Sequence, residues 1–307
     1  MAKVRIGIDA GVGHIKVVSD VGNMKFPTML AYFSKTGFNE TESVEFEGQK
    51  YTIGEDAIFE RQKISISSAS DIIKYYPVFQ KYILEKLNVR REDAIIVTGI
   101  PPSHKHYRKN LLQYCDAVLP QGIGIYVDVS DSISGKSALI LDIGYSTVDY
   151  ILVVDGKKKK GDTFEKQGVE RMIEIFRSTL PVEKEFEAIR QYQFHRLMSA
   201  FLEGSIKMKG VEIDLKPYRD QAIKSYKTVL MSRLNEEIDY LLDEVDQVVV
   251  AGGGAYYLSD IRQHGLLIPD EPEMSQARGY FKSIIGEEQP ITQKNNAIVQ
   301  AESVISS

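Results

Sequence analysis

The chain has 307 residues, of which 43% are hydrophobic and 26% charged, a composition typical of a soluble globular protein with room for about two domains. A formal net charge of −5 excludes a broad basic surface that would hold nucleic acid by neutralising its phosphates. The single cysteine, Cys115, excludes an internal disulfide, and we expect it to be a small buried residue in a reducing compartment.

The N-terminus enters a β-rich segment, Val4–Ile8, almost at once, which leaves no room for a signal peptide. No apolar run approaches the roughly 18 residues of a membrane-spanning helix. We therefore expect a cytoplasmic protein without direct membrane contact. The one basic run, Lys157–Lys160, follows the hairpin-type dipeptide Asp155-Gly156, and we interpret it as a solvated turn rather than a nucleic-acid or membrane patch.

Strand-like and helix-like segments alternate along the chain, which predicts an α/β fold. The first half has predicted strands at Val4–Ile8, Ile15–Val18 and Ala94–Gly99, and further short strands and loops within Met24–Phe33 and Ser43–Ile53. It has predicted helices at Asp71–Leu87 and Lys105–Ala117, and an undecided segment, strand or helix, at Gly122–Val129. The second half has predicted strands at Ser137–Leu141, Thr147–Val154 and Gln247–Ala251, and helices at Gly168–Leu180, Lys184–Leu202, Pro217–Asp243, Met274–Ile285 and Asn295–Val304.

Two segments of the chain, Ile6–Val18 and Leu139–Ile151, match at a constant offset of 133 residues. Each is an apolar strand, then Asp-x-Gly, then a short turn, then a second apolar strand. A repeat at this domain-sized spacing predicts a pseudo-symmetric pair of lobes.

The residue types of the repeated turn suit a nucleotide's phosphates. Glycines such as Gly11, Gly13 and Gly144 let backbone N–H groups approach an anion closely. An aspartate at the strand end, Asp9 or Asp142, cannot bind phosphate directly. It would hold Mg²⁺ through water, because Mg²⁺ dehydrates reluctantly and needs few carboxylates.

Three further side chains of the repeat add to this pattern. Lys16 supplies a positive charge for phosphates, and Ser146 and Thr147 supply hydroxyl donors. One such hairpin alone is more simply a tight β-turn, but two copies in matching strand contexts favour a phosphate site.

A third element, Gly252–Gly254, follows the apolar strand Val248–Ala251. It lacks the spacing of a dinucleotide fingerprint or a Walker loop, and by itself it could be a strand-to-helix corner. After two phosphate hairpins it suits a flat surface for a nucleoside, because glycine leaves the room that a purine needs.

These three elements, in this order, resemble the actin, sugar kinase and heat-shock chaperone ATPase superfamily. Asp9–Lys16 resembles its first phosphate loop, Asp142–Asp149 its second and Gly252–Gly254 its adenosine motif. The resemblance implies a two-lobed, actin-like (ribonuclease H-like) α/β ATPase fold with a nucleotide cleft between the lobes. Lobe I would comprise residues 1–126 plus 280–307, and lobe II residues 127–279.

Within that superfamily the chain is most similar to the plasmid-segregating ParM/StbA group. Leu119–Gly122 resembles the segment that positions the catalytic water, and Met274–Tyr280 resembles the late helix that returns the chain to the first lobe. The resemblance implies binding of ATP and Mg²⁺, hydrolysis of ATP, self-assembly into a homopolymer filament, and a separate DNA-binding adaptor as partner, with no direct nucleic-acid contact.

The resemblance also implies roles for individual residues. Gln121 would orient the attacking water, while Asp9 and Asp142 would hold hydrated Mg²⁺ and assist catalysis. The implied phosphate ligands are Gly11, Gly13, Lys16, Gly144, Ser146 and Thr147, and His14 would either contact a phosphate or face solvent. The implied nucleoside contacts are Gly252, Gly253 and Gly254. Glu203 and Lys207 would either contact the ribose or adenine or form a surface i,i+4 ion pair.

Three turn residues depart from the superfamily pattern: Val12 and His14 replace small hydroxyl residues, and Tyr145 replaces a second glycine. Asp149 is interpreted as a structural residue. The remaining histidines show no metal-ligand grouping, so no zinc site is expected.

Two other functions remain open for this fold. A small-molecule kinase would need a general-base aspartate, for which Asp128 and Asp131 are loose candidates. A non-polymerising actin-like scaffold would bind ATP as a monomer and hydrolyse little of it. The fold itself does not decide between these functions.

Overall fold

The fold is described from a computed structural model, which covers residues 2–34, 42–133, 135–242, 245–258 and 266–284. The predicted helix Asn295–Val304 and the end of the predicted lobe I lie outside these residues. Within them, no helix combines the length and the apolar character needed to cross a bilayer.

The first half of the chain is mostly β-structure. Its strands are β1 (Val4–Ala10), β2 (His14–Ser19), β3 (Met24–Pro27), β4 (Leu30–Tyr32), β5 (Val44–Phe46), β6 (Gln49–Ile53), β7 (Lys63–Ile64), β8 (Ala94–Ile100) and β9 (Ala117–Pro120). Its helices are α1 (Ala69–Leu87), α2 (Arg108–Leu111) and α3 (Ile123–Val129), with 3₁₀ turns at Gly54–Ile58, Arg91–Asp93, Pro102–Tyr107 and Ser130–Ser132.

The second half carries longer helices. Its strands are β10 (Ser137–Ile143), β11 (Val148–Val154), β12 (Lys157–Phe164), β13 (Ser205–Met208), β14 (Val211–Asp214), β15 (Gln247–Ala251) and β16 (Leu266–Leu267). Its helices are α4 (Val169–Thr179), α5 (Lys184–Arg190), α6 (Phe194–Glu203), α7 (Lys216–Leu242) and α8 (Ser275–Lys282), with a 3₁₀ turn at Ala255–Leu258.

Two five-stranded sheets have the same topology and organise the two lobes. The first runs β3-β2-β1-β8-β9 and the second β12-β11-β10-β15-β16. In each, three antiparallel strands are followed by two parallel ones. The repeat found in the sequence is therefore a repeat of the fold, and the α/β prediction is confirmed.

Each sheet has its own apolar core because its central strand is buried. Ile6 and Ile8 of β1 pack with Phe79 of α1, whereas Leu139 and Leu141 of β10 pack with α4 and α7. Helix α7 buries one residue per turn along one stripe, as the spacing of its buried residues shows: Ala222, Tyr226, Leu230, Leu234, Ile238 and Leu241.

Helices α3 and α8 cross between the two sheets. Ile125 of α3 belongs to the core of the second sheet, while Tyr280 of α8 packs with Val97 and Leu119 of the first. The helices touch at Gly124 and Gly279, where a Cβ on Gly279 would lie 1.6 Å from the Gly124 carbonyl oxygen. This crossing connects the lobes; the predicted lobe boundaries themselves stay a prediction.

Several element predictions need correction. Lys105–Ala117 is not one helix, because a 3₁₀ turn and the four-residue α2 lead into a turn before β9. Lys184–Leu202 is two helices, α5 and α6, and Arg177 donates to the carbonyl oxygen of Tyr192 at 3.1 Å in the break between them. Lys157–Lys160 lies in edge strand β12, while the turn itself is Asp155-Gly156, both with positive φ.

Candidate functional site

A cavity of about 820 Å³ lies where the hairpin turns of the two sheets meet. The cavity is lined by the β1–β2 turn of the first sheet, the β10–β11 turn of the second and the glycine turn after β15. The predicted site residues that line it are Asp9, Gly11, Gly13, His14, Lys16, Gln121, Asp142, Gly144, Ser146, Thr147, Gly252 and Gly253.

The two hairpin turns are built alike. The Gly11 N–H donates to the His14 carbonyl at 3.2 Å, and the Gly144 N–H donates to the Thr147 carbonyl at 2.9 Å, 133 positions further on. A Cβ would lie 3.1 Å from that carbonyl oxygen at Gly11 and 3.2 Å from it at Gly144. The same close contact therefore favours glycine at the equivalent position of both turns.

The turns also face each other directly, through Gly13 and Tyr145. A Cβ on Gly13 would lie 2.8 Å from the Tyr145 Cβ, so the two turns are in contact. On its other side the Tyr145 ring makes an edge contact with Phe194 of α6, with ring centroids 5.5 Å apart. The departure of Tyr145 from the superfamily pattern thus places an aromatic ring between the two hairpins.

In the first hairpin, the charges of the acidic and the basic side chain neutralise each other. Asp9, with 6% of its surface exposed, accepts a hydrogen bond from the Lys16 ammonium at 2.8 Å. Burial alone would lower the pKa of Lys16, but the charge of Asp9 outweighs it and holds that pKa above its ordinary value. A buried, charged lysine at this turn is suited to binding phosphate oxygens.

The second hairpin carries two carboxylates and no lysine at the equivalent positions. Burial, with the charges of Asp9 and Asp149, raises the pKa of Asp142 to about 7. Burial also raises the pKa of Asp149 to about 6, although Thr163 and Thr147 donate hydrogen bonds to it. The charge of Lys16 offsets only part of this rise at Asp142. The buried Asp149 and the half-buried Asp142 fit a divalent ion such as Mg²⁺, whose charge would stabilise both in ionised form.

His14 lies at the open edge of the same cavity. Desolvation between the cleft walls, with the charges of Lys16 and Lys25, lowers the pKa of His14 to about 4, although the ring keeps contact with solvent. At neutral pH the imidazole is therefore uncharged, and it can offer a phosphate a neutral N–H rather than a positive charge.

The hydroxyl groups of Ser146 and Thr147 both donate to carboxylates, the first to Glu170 at 3.2 Å and the second to Asp149 at 3.1 Å. The turn's carbonyls are held by the start of α4, since the Val169 N–H donates to the Gly144 carbonyl at 3.0 Å. The hydroxyl groups of the second turn are therefore engaged by neighbouring carboxylates, and its backbone is tied to the start of α4.

The glycine turn after β15 has three different environments. Gly252 has φ +81°, and a Cβ there would lie 2.4 Å from a carboxylate oxygen of Asp142. Gly253 has open space around it and faces the cavity. Gly254, by contrast, packs against Ile143 and donates to its carbonyl at 2.9 Å, so the structure places it behind the cavity wall rather than in it.

Glu203 and Lys207 are exposed and lie outside the lining of the cavity. They also do not form the helical i,i+4 pair, because α6 ends at Glu203 and Gly204 follows in the left-handed conformation at φ +70°. Lys207 lies instead in β13, opposite Glu212 of β14. Both interpretations of this pair from the sequence are therefore unsupported by the structure.

Gln121 lies where β9 ends, with its N–H donating to the Ile100 carbonyl at 2.8 Å. Gly122 follows at φ +85°, and Gln276 of α8 accepts its N–H at 3.2 Å. This backbone anchoring holds the Gln121 amide at the cavity, on the side of the first sheet.

The kinase candidates Asp128 and Asp131 do not line the cavity. The Asp128 carboxylate is 4% exposed and bonds Arg278 at 3.0 Å and Lys282 at 2.8 Å, where α3 crosses α8. Its role is to join the two helices, and it is not free to act as a general base.

Other lining residues were not predicted from the sequence. One face of α6 borders the cavity through Phe194, His195, Met198, Ser199 and Leu202. Lys25, Tyr256 and Glu273 border it from three separate segments. The amphipathic spacing of α6 was visible, but periodicity does not distinguish a face that lines a cavity from one that packs in a core.

Two family models match the chain, one in each half. The model described as actin like proteins, N terminal domain, matches residues 7–124. The model described as archaeal actin homologue MreB-like, C-terminal, matches residues 140–262. No curated protein sequence matches the chain significantly.

Solved structures with the same fold cover nearly the whole chain. A 15-stranded ParM filament from Clostridium botulinum is 20% identical, with a TM-score of 0.74 over 92% of this chain and 99% of that one. An archaeal actin homologue in complex with ADP is 15% identical, with a TM-score of 0.70 over 91% and 98%. Bacillus thuringiensis ParM with ATP is 14% identical, with a TM-score of 0.66 over 92% and 98%.

Proposed function

We propose that this chain, an actin-like protein with a ParM-like fold, binds ATP and Mg²⁺ in the cleft between its lobes and couples ATP hydrolysis to filament assembly. The observation that carries the proposal is the contact of two equivalent Asp-x-Gly hairpins, at Gly13 and Tyr145, across one cavity. A chain of phosphates is the ligand that suits two facing turns with glycines at their tips.

The charges of the two hairpins support separate tasks in phosphate binding. Lys16 would bind phosphate oxygens from the first hairpin, together with the N–H group of Gly13, because the Gly11 N–H already donates to the His14 carbonyl. Asp142 and Asp149 are the acids with raised pKa values that would hold hydrated Mg²⁺, which would neutralise charge on the β- and γ-phosphates. Asp9 would contribute less to Mg²⁺ binding than the sequence suggested, because Lys16 already occupies it.

The proposed reaction is ATP + H₂O → ADP + phosphate. Gln121 would accept a hydrogen bond from the attacking water and align it, since a neutral amide positions water without being a strong base. The nucleoside would lie along Gly252 and Gly253, with the α6 face through Met198 and Leu202 as the opposite wall. Positioning and electrostatics would provide most of the rate enhancement.

Filament assembly would follow from lobe closure. A γ-phosphate bound by both hairpins favours the closed arrangement of the lobes, and its loss removes that preference. Head-to-tail contacts of the closed form that do not close into a ring give a helical filament. The ParM of Clostridium botulinum, which has the same fold, forms a 15-stranded filament, and this supports the assembly part of the proposal.

Plasmid DNA segregation is the cellular role that we propose for such a filament. With a net charge of −5, the chain would reach DNA through a separate DNA-binding adaptor rather than by direct contact.

Sedimentation and negative-stain electron microscopy of the purified chain with ATP, ADP or no nucleotide test the proposal. We expect filaments with ATP and released phosphate over time, and neither in a Lys16→Met variant. Lys81→Met, at an exposed ion pair with Glu85 far from the cleft, is the matched control and should behave as wild type.

Three results would contradict parts of the proposal. A chain that binds ATP but stays monomeric at about 50 μM, well above the Kd of a micromolar interface, would be a scaffold instead. Phosphate transfer only on addition of a sugar or another hydroxyl compound would indicate a kinase. Failure to bind ATP at all would overturn the nucleotide site itself.

A further inference from the structure

Lys25 lies on the strand next to the first hairpin and continues the row of charged residues that Asp9 and Lys16 form across its strands. In the antiparallel register Asp9 lies opposite Lys16, and Lys16 lies opposite Lys25 of β3. Directly opposed residues of antiparallel strands point to the same face of the sheet, and all three line the cavity. The first lobe therefore presents two adjacent lysines, and not one, to the phosphate end of the cleft.

The ammonium of Lys25 is paired with a carboxylate from a distant segment. Glu273, just before α8, accepts it at 3.1 Å and also accepts the Tyr256 hydroxyl at 2.6 Å. Glu273 and Tyr256 line the same cavity as Lys25. This cluster links β3 of the first sheet to the 3₁₀ turn that follows the glycine turn of the second.

The two lysines differ in how firmly their carboxylate partner is held. Asp9 belongs to the same hairpin as Lys16, is buried, and cannot leave without unfolding the turn. The Lys25–Glu273 pair joins two separate segments, and the Lys25 side chain is 42% exposed. The Glu273 side chain is less exposed, at 15%, so the pair is open to solvent, and to another anion, on its lysine side.

A polyphosphate between the hairpins would compete with Glu273 for Lys25. A multiply charged phosphate chain is a stronger partner for an ammonium than one carboxylate, and its oxygens would also face Lys16 beside it. The negative charge of Glu273 at the same site would meanwhile repel the phosphates. Phosphate therefore competes with Glu273 for the Lys25 ammonium, and the charge of Glu273 opposes phosphate occupancy.

We propose that Lys25 is a second phosphate-binding cation of the cleft and that Glu273 is its exchangeable counter-ion, which nucleotide phosphates displace. This proposal rests on the proposed nucleotide binding and deepens it. Displacement breaks the link from β3 to Tyr256, so phosphate occupancy changes the connection between the first lobe and the nucleoside side of the second.

Calorimetric titration of Lys25→Gln, Glu273→Gln and the remote Lys81→Gln with ATP and with adenosine tests the proposal. Lys25→Gln should weaken ATP binding about tenfold, the effect of losing one charge-assisted hydrogen bond, and leave adenosine binding within about twofold. Glu273→Gln should tighten ATP binding about three- to tenfold, because the competing charge is gone. Lys81→Gln should leave both unchanged.

The two variants are expected to change ATP affinity in opposite directions, and this distinguishes an exchangeable counter-ion from a structural ion pair. If Lys25 and Glu273 only hold two segments together, removing either partner breaks the same bond, and both variants change ATP affinity in the same direction. That result, or no change in either variant, would overturn the proposal while wild-type ATP binding keeps the proposed function intact. A wild-type chain that binds neither ATP nor adenosine would overturn both.

Discussion

Asp149 lies directly opposite Asp142 in the β10–β11 pair, at the position that Lys16 holds opposite Asp9 in the first hairpin. The two hairpins therefore have the same strand pairing but differ in the charges of the paired side chains. The first has an acid and a base that neutralise each other, whereas the second has two acids that repel each other. This difference supports the proposal that the first lobe binds the phosphates and the second lobe binds the cation.

The acid pair predicts an unusual pH dependence of stability in protein free of metal and nucleotide. The pKa of Asp142 is raised from 3.8 in the unfolded chain to about 7 in the folded one, so between these values the folded state holds the extra proton. Stability therefore falls as pH rises through this window, and the loss is complete above about pH 7. Asp142→Asn removes this loss and should stabilise the fold at pH 8 by about 2–4 kcal/mol.

Urea unfolding of wild type and Asp142→Asn from pH 4 to pH 8, in the presence of a chelator, measures this difference. Asp131→Asn, at an exposed position outside the cavity, is the control and should keep the wild-type slope. If Asp142→Asn kept the wild-type dependence of the unfolding free energy on pH, the prediction would be wrong, because the Asp142 carboxylate would then be ionised in the folded protein over this pH range.

The contact between Gly13 and Tyr145 predicts a strong steric coupling between the hairpins. The Cβ of Gly13→Ala would lie 2.8 Å from the Tyr145 Cβ, so the two turns must separate, and we expect ATP affinity to fall about tenfold. Removing the aromatic side chain in Gly13→Ala/Tyr145→Gly should restore most of it. A double-mutant cycle by titration calorimetry checks this, and strictly additive effects would contradict the coupling.

The neighbouring glycines Gly252 and Gly253 provide a matched pair for stability. Gly252→Ala introduces a methyl group 2.4 Å from the Asp142 carboxylate, at a residue with φ +81°. We expect a loss of about 2 kcal/mol or more and a lower Tm. Gly253→Ala has open space and no positive φ, so its Tm should stay close to wild type. Equal losses of stability in both variants would contradict this prediction, because the turn would then have shifted to make room for the methyl group at position 252.

The sequence was informative where chemistry is local. The hairpins were predicted because strand, turn and ligand residues lie within about a dozen positions, and strand pairing then fixes which residues are opposed. The i,i+4 pair of Glu203 and Lys207 does not form, because α6 ends at Glu203 and the predicted helix already ended at Leu202, before both residues. The pairing of Lys25 with Glu273, 248 positions apart, depends on the packing of α8 on the first sheet, and no local pattern encodes it.

Gln121 provides the sharpest test of the proposed hydrolysis. Its backbone is fixed by the Ile100 carbonyl and by the following Gly122 at φ +85°, so Gln121→Ala should remove the amide without moving β9. Loss of water alignment affects the transition state alone, so kcat should fall about 100-fold while the Kd for ATP stays within about twofold. Phosphate-release kinetics and calorimetry measure the two quantities separately. Gln113→Ala, in an exposed turn away from the cavity, is the control for the loss of a glutamine side chain. A raised Kd with an unchanged kcat would make Gln121 a binding residue, and hydrolysis would then depend on another group at the second hairpin.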